Sequence, residues 1–262
     1  MSDLNSLKVT REKREKRYAR QVLLPEIGSK GQEKLGKATV LIGGAGGLGS
    51  ISSLYLAAAG VGHIIIADHD HVEESNLNRQ LLHSEISLGI DKTQSAARRI
   101  KELNSSIRIT PVQKKITAGN IDSLMTGFDN KIGNKVDIIV DGSDNYKTRQ
   151  ILNRASIKYN IPFVFGGVQG FDGMVSCFVP GRTPCFECII KVPKKINREK
   201  GVIGPAAGIT ASIQAMEIIK LLLNLGTGQK RLENRLLRFS GLDMQIKTMS
   251  IGIDPDCPAC RH

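Results

Sequence analysis

Three charged side chains in this sequence could together bind a magnesium nucleoside triphosphate. Arg79 and Lys92 are cations that would offset the negative charge of a phosphate chain. Asp144 is a carboxylate, the kind of ligand that Mg²⁺ prefers in proteins. A carboxylate beside phosphates would repel them unless a metal ion bridged the two, so the set is consistent only with Mg²⁺ present. These residues therefore predict a Mg·ATP site.

A glycine-rich loop, GAGGLG at residues 44–49, could hold the phosphates. It follows an apolar run and precedes a helical pattern, which is the context that gives a GxGxxG motif meaning. Gly44 would make the tight turn, Gly46 would let the backbone approach phosphate oxygens, and Gly49 would allow close helix–strand packing. The helix N-terminus would add free N–H groups and a partial positive charge. A purely structural glycine turn is the alternative.

Acidic and polar residues follow the next apolar run. Asp68 comes nineteen residues after Gly49, at a place where a carboxylate can accept hydrogen bonds from both ribose hydroxyls. A turn or helix cap is its alternative role. Asn76, Asn78 and Arg79, all in the segment SNLNRQ, are in a position to reach a phosphate chain on the loop.

Lys92 lies in the first turn of a predicted helix, where the macrodipole disfavours a cation by roughly 0.3–1 kcal/mol. This placement without local compensation indicates ligand contact, against the alternative of a solvated lysine beside Asp91. We interpret Asp70 as a solvated turn residue. Asp144, in the segment DGSDN, would either cap a helix or hold Mg²⁺. The combined charges favour ATP over NAD, and a nicotinamide-binding oxidoreductase is the alternative from another class.

Four of the five cysteines form two CxxC pairs, Cys185/Cys188 and Cys257/Cys260. Four thiolates meet the tetrahedral preference of Zn²⁺ and leave no position open for water, so they predict a structural zinc site. Two redox dithiols are the alternative, although neither pair follows a short strand at a helix start. Cys177 is expected to be a small buried residue.

The elements that must position these residues alternate between strand and helix up to residue 167. This alternation predicts an α/β fold with a Rossmann-like, mostly parallel sheet, helices on both faces and a ligand crevice at the carboxyl ends of the strands. The strands are predicted at 38–43, 63–67, 107–112, 136–140 and 162–166, and the helices at 48–59, 92–103 and 145–159.

After residue 167 the pattern predicts an antiparallel extension of the same sheet. Strand-like runs are found near 171–179, at 235–240 and at 243–249, with a basic loop at 189–202 and a helix at 206–225 between them. The helix carries Gln214, Glu217 and Lys220, so no membrane span is predicted. No signal peptide is recognised, and we expect a cytoplasmic protein.

The net charge of +12 is concentrated in three segments. Residues 1–20, 182–200 and 230–238 together carry eleven of the twelve net positive charges. Four tyrosines, no tryptophan and no interleaving of basic with aromatic residues argue against a nucleic-acid surface. An acidic protein partner or a polyphosphate ligand is the better interpretation.

In their joint order these motifs resemble the ThiF/MoeB/HesA family of ubiquitin-activating-like adenylating enzymes, with MoeB and ThiF as the nearest types. The resemblance runs from about residue 17 to the C-terminus. It implies a charged N-terminal segment at 1–16 and one adenylation domain at 17–262, with a nucleotide-binding half at about 38–167 and a carrier-binding and zinc half at about 168–262. The motifs that carry it are RYARQ at 17–21, VLIGGAGGLG at 40–49, SNLNRQ at 75–80, Lys92, DGSDN at 141–145 and the CxxC pairs.

The resemblance implies a homodimer that uses Mg·ATP to adenylate the C-terminal glycine carboxylate of a small ubiquitin-like sulfur carrier of the MoaD or ThiS type, ending in Gly-Gly. Pyrophosphate is released, and no general base is needed because a carboxylate is already ionised at pH 7. Arg20 is implied to reach the phosphates of the neighbouring subunit, beside the other catalytic residues Arg79, Lys92 and Asp144. The implied ATP-lining residues are Gly47, Asp68, Ser75, Asn76, Leu77, Asn78, Arg79, Lys92, Asp144 and Asn145.

One departure from the family concerns a loop cysteine. Relatives often carry a cysteine before an AGV-like segment, and aligning KGVIGP at 200–205 places Asn197 there instead. Adenylation does not require that thiol, so the first half-reaction is expected, while a thioester or acyl-disulfide step stays open. The pathway also stays open between molybdopterin, thiamine, tRNA thiolation and protein tagging. A peptide, a small acid or a tRNA base as acceptor would use the same ATP residues.

Overall fold

The computed structural model describes residues 16–126, 135–192, 201–226 and 230–260. Its strands build one sheet in the order β3-β2-β1-β4-β5-β6-β7-β8. The predicted strands of the first half are all present, each within about three residues of its expected ends. The strands are β1 Thr39–Gly43, β2 His63–Asp68, β3 Arg108–Gln113, β4 Ile138–Asp141, β5 Phe163–Gln169, β6 Asp172–Phe178, β7 Arg235–Ser240 and β8 Gln245–Ser250.

The sheet changes from parallel to antiparallel at β5. Strands β1 to β5 pair in parallel, and β6, β7 and β8 then pair antiparallel in turn. Strand β5 serves both halves because it runs on to Gln169 and forms a hairpin with β6. The antiparallel extension predicted after residue 167 is therefore confirmed, and one sheet joins the two halves.

Seven helices of the described residues flank this sheet. They are α1 Gly28–Lys37, α2 Gly47–Ala59, α3 Lys92–Leu103, α4 Ile121–Thr126, α5 Tyr146–Tyr159, α6 Phe186–Ile189 and α7 Gly204–Leu223. Residues 16–22 are also helical. The sequence patterns predicted α2, α3, α5 and α7. The predicted bounds of α7, 206–225, lie two residues later in the chain than the observed ones. The patterns missed α1, α4, α6 and the helical turn at 16–22, which are short or carry few apolar residues.

The helices cover both faces of the sheet, as predicted. Along β1, Val40 and Ile42 point into one core with residues of α1, α2, α3 and α7. Leu41 points into a second core with residues of α4, α5 and α6. Alternate residues of a strand face opposite sides, so a continuous apolar run such as TVLIG is what a strand buried on both faces requires.

Helices α2 and α7 pack against each other, and each buries several small residues together with a few large apolar ones. On α7 the buried side includes Ala207, Ala211 and Gln214, while Met216 is 57% exposed. On α2 the side chain of Tyr55 is 54% exposed. Of the large apolar residues that gave these helices their periodicity, Tyr55, Ile209 and Met216 are exposed and the others are half-buried. Among the described residues, α7 is the one helix long and apolar enough to cross a membrane, and half of its apolar window is buried inside the protein, as expected for a core helix.

The strand order brings three strand ends together at one edge. Strand β1 lies between β2 and β4, and the chain leaves β1 and β4 in opposite directions along the sheet. Such a point, where the strand order reverses, is where open α/β sheets bind ligands beyond their carboxyl ends. The glycine loop follows β1, Asp68 is the last residue of β2, and Asp144 lies in the loop after β4.

Candidate nucleotide site and cysteine cluster

The glycine loop has a backbone that other residues could not adopt. Gly44 has φ +110°, and its N–H donates to the carbonyl of Ala67 at 2.8 Å. A Cβ on Gly44 would lie 2.5 Å from the carbonyl oxygen of Gly142, and one on Gly49 would lie 1.9 Å from the carbonyl oxygen of Gly44. The first contact packs the loop against the residue after β4, and the second closes the turn into α2. Side chains are thus excluded at both positions.

Gly46 precedes α2 and leaves the face of the loop open. A Cβ there would meet nothing closer than 3.8 Å, so the packing does not force a glycine at this position. Gly47 begins the helix, and the first N–H groups of a helix lack intrahelical partners. The helix N-terminus therefore presents donors and a partial positive charge that an anion could bind.

Two buried side chains hold the loop through the peptide groups of Ala45. The N–H of Ala45 donates to Asp68 Oδ2 at 2.7 Å. The carbonyl of Ala45 lies 3.1 Å from Nε2 of His83, whose other ring nitrogen lies 2.9 Å from Ser95 Oγ. Burial lowers the pKa of His83, and the charge of Lys92 lowers it further, while the Ala45 hydrogen bond and Asp68 act in the opposite direction. A neutral imidazole at pH 7 can donate to the carbonyl from Nε2, which fixes the loop.

Asp68 holds the glycine loop and also caps the turn that follows β2, the role that the sequence analysis gave as its alternative. Its Oδ1 accepts the N–H of Asp70 at 2.9 Å, and its side chain is 10% exposed. Each carboxylate oxygen therefore has one backbone partner and keeps further acceptor capacity. Asp68 stays a candidate for the ribose hydroxyls while it also shapes the loop.

Arg79 stands beside the second half of the glycine loop. Its Cγ would be 3.7 Å from a Cβ on Gly47, and its Nη1 donates to the carbonyl of Ser75 at 2.8 Å and to Asn78 Oδ1 at 2.9 Å. Neutral acceptors thus hold the side chain, and within the described ranges it forms no ion pair with a carboxylate. Its positive charge is available to a ligand.

The rest of the SNLNRQ segment divides into shaping and exposed residues. Asn76 is 6% exposed, and its Oδ1 accepts the N–H of Glu73 at 3.3 Å in a short turn. It therefore fixes the path of the chain from inside. Ser75 and Asn78 are exposed and Leu77 is half-buried.

Lys92 is buried and paired with a carboxylate. It begins α3 as predicted, and because it is 6% exposed the alternative of a solvated lysine is wrong. Its Nζ lies 3.1 Å from Asp70 Oδ2, so Asp70, which is exposed as expected, is also an ion-pair partner. The unfavourable position at the helix N-terminus is thus compensated locally by Asp70. The argument from missing compensation fails for Lys92, and its place near Asp68 and His83 is what keeps it in the candidate site.

The loop after β4 is built on a buried ion pair. Asp141 is completely buried and bonds Arg149 Nε at 2.8 Å and Ser143 Oγ at 2.7 Å. Arg149 also donates to the carbonyls of Ser143 and Gly166 at 2.9 and 3.1 Å. Burial raises the pKa of Asp141, against the opposing effect of Arg149 and Ser143. These contacts hold the loop that presents Asp144.

Asp144 is exposed at the rim, beside Asn145. Asn145, rather than Asp144, caps α5 by accepting the N–H of Thr148 at 2.9 Å. Asp144 accepts only from Asn145 Nδ2, at 3.3 Å, and no cation of the described chain pairs with it. The capping alternative for Asp144 is therefore wrong, and its carboxylate is free to bind a metal ion.

Arg20 is not brought to this site. It is exposed in the helical turn 16–22, where the neighbouring Gln21 donates to the carbonyl of Ala59 at 3.0 Å. Ala59 is the last residue of α2, whereas the glycine loop leads into the first turn of that helix, and thirteen residues of helix span about 20 Å. Arg20 therefore lies at the far end of α2 from the loop of its own chain.

The four cysteines of the CxxC pairs form one cluster. Their Sγ atoms all lie within 4.8 Å of one another, with Cys185–Cys257 at 3.6 Å and Cys188–Cys260 at 3.4 Å. A tetrahedral zinc with Zn–S bonds of about 2.3 Å has sulfurs about 3.8 Å apart, while a disulfide requires about 2.05 Å. The distances therefore fit a metal ion. Burial raises the pKa of Cys185 to about 11, so its thiolate needs a cation to form at neutral pH.

A buried carboxylate fastens the first cysteine pair to α5. Glu187, between Cys185 and Cys188, is 3% exposed and binds Arg154 through both carboxylate oxygens at 3.1 Å. Gln150 and Asn153 donate to the same carboxylate at 2.7 and 3.2 Å. Sequence reasoning passed over Glu187, as it did Arg149 and His83. An acidic residue inside a CxxC pair was the one available signal.

The chain is similar to known proteins over most of its length. The sequence model of the ThiF family matches residues 18–259. Adenylyltransferase and sulfurtransferase MOCS3 of Culex quinquefasciatus is 39% identical over 251 residues, which cover 93% of this chain and 55% of the relative. The sulfur carrier protein adenylyltransferase of Thermus thermophilus is 35% identical over 254 residues, covering 93% and 90%.

A solved structure shares the fold. E. coli MccB crystallised with AMPCPP and MccA superposes with a TM-score of 0.81 at 26% identity, covering 94% of this chain and 74% of that one. The chain spans little more than half the length of the MOCS3 relative and most of the length of the other two proteins.

Proposed function

The chain belongs to the ThiF family, and from that membership we propose that it uses Mg·ATP to adenylate the C-terminal glycine carboxylate of a small ubiquitin-like sulfur carrier. The observation that carries the proposal is the meeting of four features at one edge of the sheet. The glycine loop, Arg79, Lys92 and Asp144 all stand at or beside the ends of β1, β2 and β4. The name of the Thermus thermophilus relative supports the sulfur carrier as the acceptor.

The proposed ATP site assigns each group one task. The free N–H groups of α2 and the side chain of Arg79 bind the phosphates. Asp68 accepts from the ribose hydroxyls, Lys92 adds a buried cation, and Asp144 holds Mg²⁺ against the phosphate oxygens. Gly44 and Gly49 shape the loop, and Ser75, Asn76, Leu77, Asn78 and Asn145 complete the lining.

The reaction needs charge compensation more than proton transfer. A carboxylate oxygen of the carrier attacks the α-phosphorus, the bond from that phosphorus to the β-phosphate oxygen breaks, and pyrophosphate leaves. An anion thus approaches an anion, so Arg79, Lys92 and Mg²⁺ offset the repulsion and stabilise the charge on the leaving group. Holding both reactants in line supplies the remaining acceleration.

A groove of about 640 Å³ offers a path for the extended tail of the carrier. It is lined by Asn78, Gln169, Gly170, Phe171 and residues 201–205. Asn78 directly precedes Arg79, so the groove begins beside the proposed phosphate site. Backbone bonds from Gly170 N–H to Gly201 at 2.7 Å and from Ile203 N–H to Gly170 at 3.1 Å build its wall. A Gly-Gly tail has no side chains, so it suits a groove of this kind. Most of the basic loop 189–202 and Asn197 fall outside the described residues.

The outer edge of the sheet offers a surface for the body of the carrier. All six residues of β8 are exposed, and Ile246 is 65% exposed. Met244 in the preceding turn is 79% exposed. Large apolar side chains in contact with water mark interaction sites. We therefore assign this edge, beside the basic residues of 230–238, to an acidic ubiquitin-like partner.

A homodimer would complete the site. Arg20 lies at the opposite end of α2, a helix about 20 Å long, from the glycine loop of its own chain, so we assign its contribution to the ATP of another subunit. The exposed Tyr55 and Met216 on the paired helices α2 and α7 provide an apolar surface for that contact.

The proposal extends to the domain bounds, the zinc site and the cellular location. We assign residues 17–262 to one adenylation domain with structural zinc in the cysteine cluster, and residues 1–16 to a charged extension whose first fifteen residues fall outside the described part. We also propose that the enzyme works in the cytoplasm, in a pathway of sulfur transfer for cofactor synthesis or thiolation.

Pyrophosphate exchange tests the proposed reaction. With Mg²⁺, ATP and a carrier ending in Gly-Gly, labelled pyrophosphate is expected to enter ATP, because adenylation is reversible. The matched control is the same carrier with its terminal carboxylate converted to an amide, which removes the nucleophile and should abolish exchange. A complete lack of exchange across carriers ending in Gly-Gly would contradict the proposal. Exchange with a peptide, a small acid or a tRNA instead would move the acceptor to the alternative class.

A further inference from the structure

Gln80 carries a buried amide that lacks a partner. The residue is 5% exposed, and its Oε1 is fully buried with no donor among the residues that the structure describes. The backbone of Gln80 is satisfied, because its N–H donates to the carbonyl of Asn76 and its carbonyl accepts from the N–H of His83, both at 3.0 Å. The side chain is therefore the unusual part of this residue.

The amide lies against the open face of the glycine loop. Its Nε2 is 3.9 Å from where a Cβ on Gly46 would stand. Arg79, the preceding residue, approaches Gly47 in the same way at 3.7 Å. Two consecutive side chains thus flank two consecutive glycines, at the point where α2 offers its free N–H groups.

A buried polar atom without a partner is unfavourable and rare in native proteins. An apolar side chain of the same size would fill this position without that cost. The amide therefore indicates a partner that arrives with a ligand. Since α2 and Arg79 favour an anion here, the N–H groups of the amide suit a phosphate oxygen.

We propose that the Gln80 carboxamide contacts Mg·ATP directly, donating from Nε2 to a phosphate oxygen above Gly46. This inference rests on the proposed function, since it requires ATP in the site. It adds a neutral hydrogen-bonding group between the loop and Arg79, at a position that the motif analysis did not single out.

The variant Gln80→Met tests the contact because it should weaken Mg·ATP binding while it stabilises the nucleotide-free protein. Methionine keeps the size of the side chain and removes both polar atoms. The Kd for Mg·ATP, measured by calorimetry, is expected to rise about 10- to 100-fold. The melting temperature of the nucleotide-free protein is expected to rise by about 2–4 °C, because an unpaired buried polar group is removed. The affinity for adenosine, measured as a competitor of ATP, should stay unchanged.

Gln214→Met is the matched stability control. Gln214 is also buried, but its Nε2 donates to the carbonyls of Asp141 and Val164 at 3.0 and 3.3 Å. Its replacement should lower the melting temperature.

Three results would overturn the assignment of Gln80. They are Mg·ATP binding by Gln80→Met within twofold of the wild type, an equal loss for ATP and adenosine, or a lower melting temperature of the nucleotide-free variant. If the wild type itself fails to bind Mg·ATP, both the proposed function and the inference about Gln80 are contradicted. If the wild type binds and exchanges normally while Gln80→Met does the same, only the Gln80 inference fails.

Discussion

Replacing Asp144 by asparagine is expected to lower pyrophosphate exchange by at least about a hundredfold at saturating ATP. The carboxylate is exposed, has no cation partner in the described chain and is presented by a loop that the buried Asp141–Arg149 pair holds. Asparagine keeps the shape but loses the charge that binds Mg²⁺. The rate should fall, and the magnesium concentration that gives half-maximal rate should rise. Asp144→Glu, which keeps a carboxylate, should recover part of the activity.

Glu33→Gln is the matched control for this charge removal. Glu33 is an exposed carboxylate of α1 that pairs with Lys37 at 2.6 Å, at the surface, where such pairs contribute little. Its variant should exchange at the wild-type rate with the same magnesium dependence. An Asp144→Asn enzyme with more than half of the wild-type rate would remove Asp144 from the proposed mechanism.

Replacing Cys257 by serine is expected to lower the free energy of unfolding by about 3–5 kcal/mol. The Cys257 side chain is fully buried and lies 3.6 Å from Cys185 in the cysteine cluster. A metal there would tie the end of the described chain to α6, and Glu187 ties α6 to α5. Losing one of four ligands should release the metal and loosen both connections. Chemical denaturation and quantification of bound zinc measure the two effects.

Cys177→Ser is the control for a lost cysteine outside the cluster. Cys177 is also fully buried, but its thiol lies against Glu217 at 3.4 Å and not against the other cysteines. Its variant should keep one zinc per chain, whatever its stability. Chelation of the wild type should approach the stability of the Cys257→Ser protein. Unchanged zinc content in Cys257→Ser would contradict the four-thiolate site.

The sequence predicts the strands, the glycine loop and the cysteine cluster well because each follows from a local rule. The run TVLIG must be a strand buried on both faces, and GAGGLG directly after it admits few backbone paths. The structure explains why glycine is required in this loop, since a side chain at Gly44 or Gly49 would overlap backbone oxygens. Two CxxC pairs need only a fold that brings them together, and the structure supplies it.

Partners distant in the sequence could not be predicted in the same way. Lys92 pairs with Asp70 across twenty-two residues, and the amphipathic pattern of α3 carries no sign of that. The outward position of Tyr55 and Met216 depends on which face of α2 and α7 has small enough residues to pack closely, which periodicity does not show. Gln80 was missed because a glutamine next to an arginine looks like an ordinary surface residue until its burial is known.

The transfer of label from ATP to the carrier tests the central claim most directly. The full chain is incubated with Mg²⁺, a carrier ending in Gly-Gly and ATP labelled either at the α-phosphate or at the γ-phosphate, and the carrier is then isolated. We predict that the α-label is found on the carrier terminus and the γ-label in pyrophosphate. The γ-label on the carrier, or no label on any Gly-Gly carrier from either ATP, would contradict nucleotidyl transfer at this site.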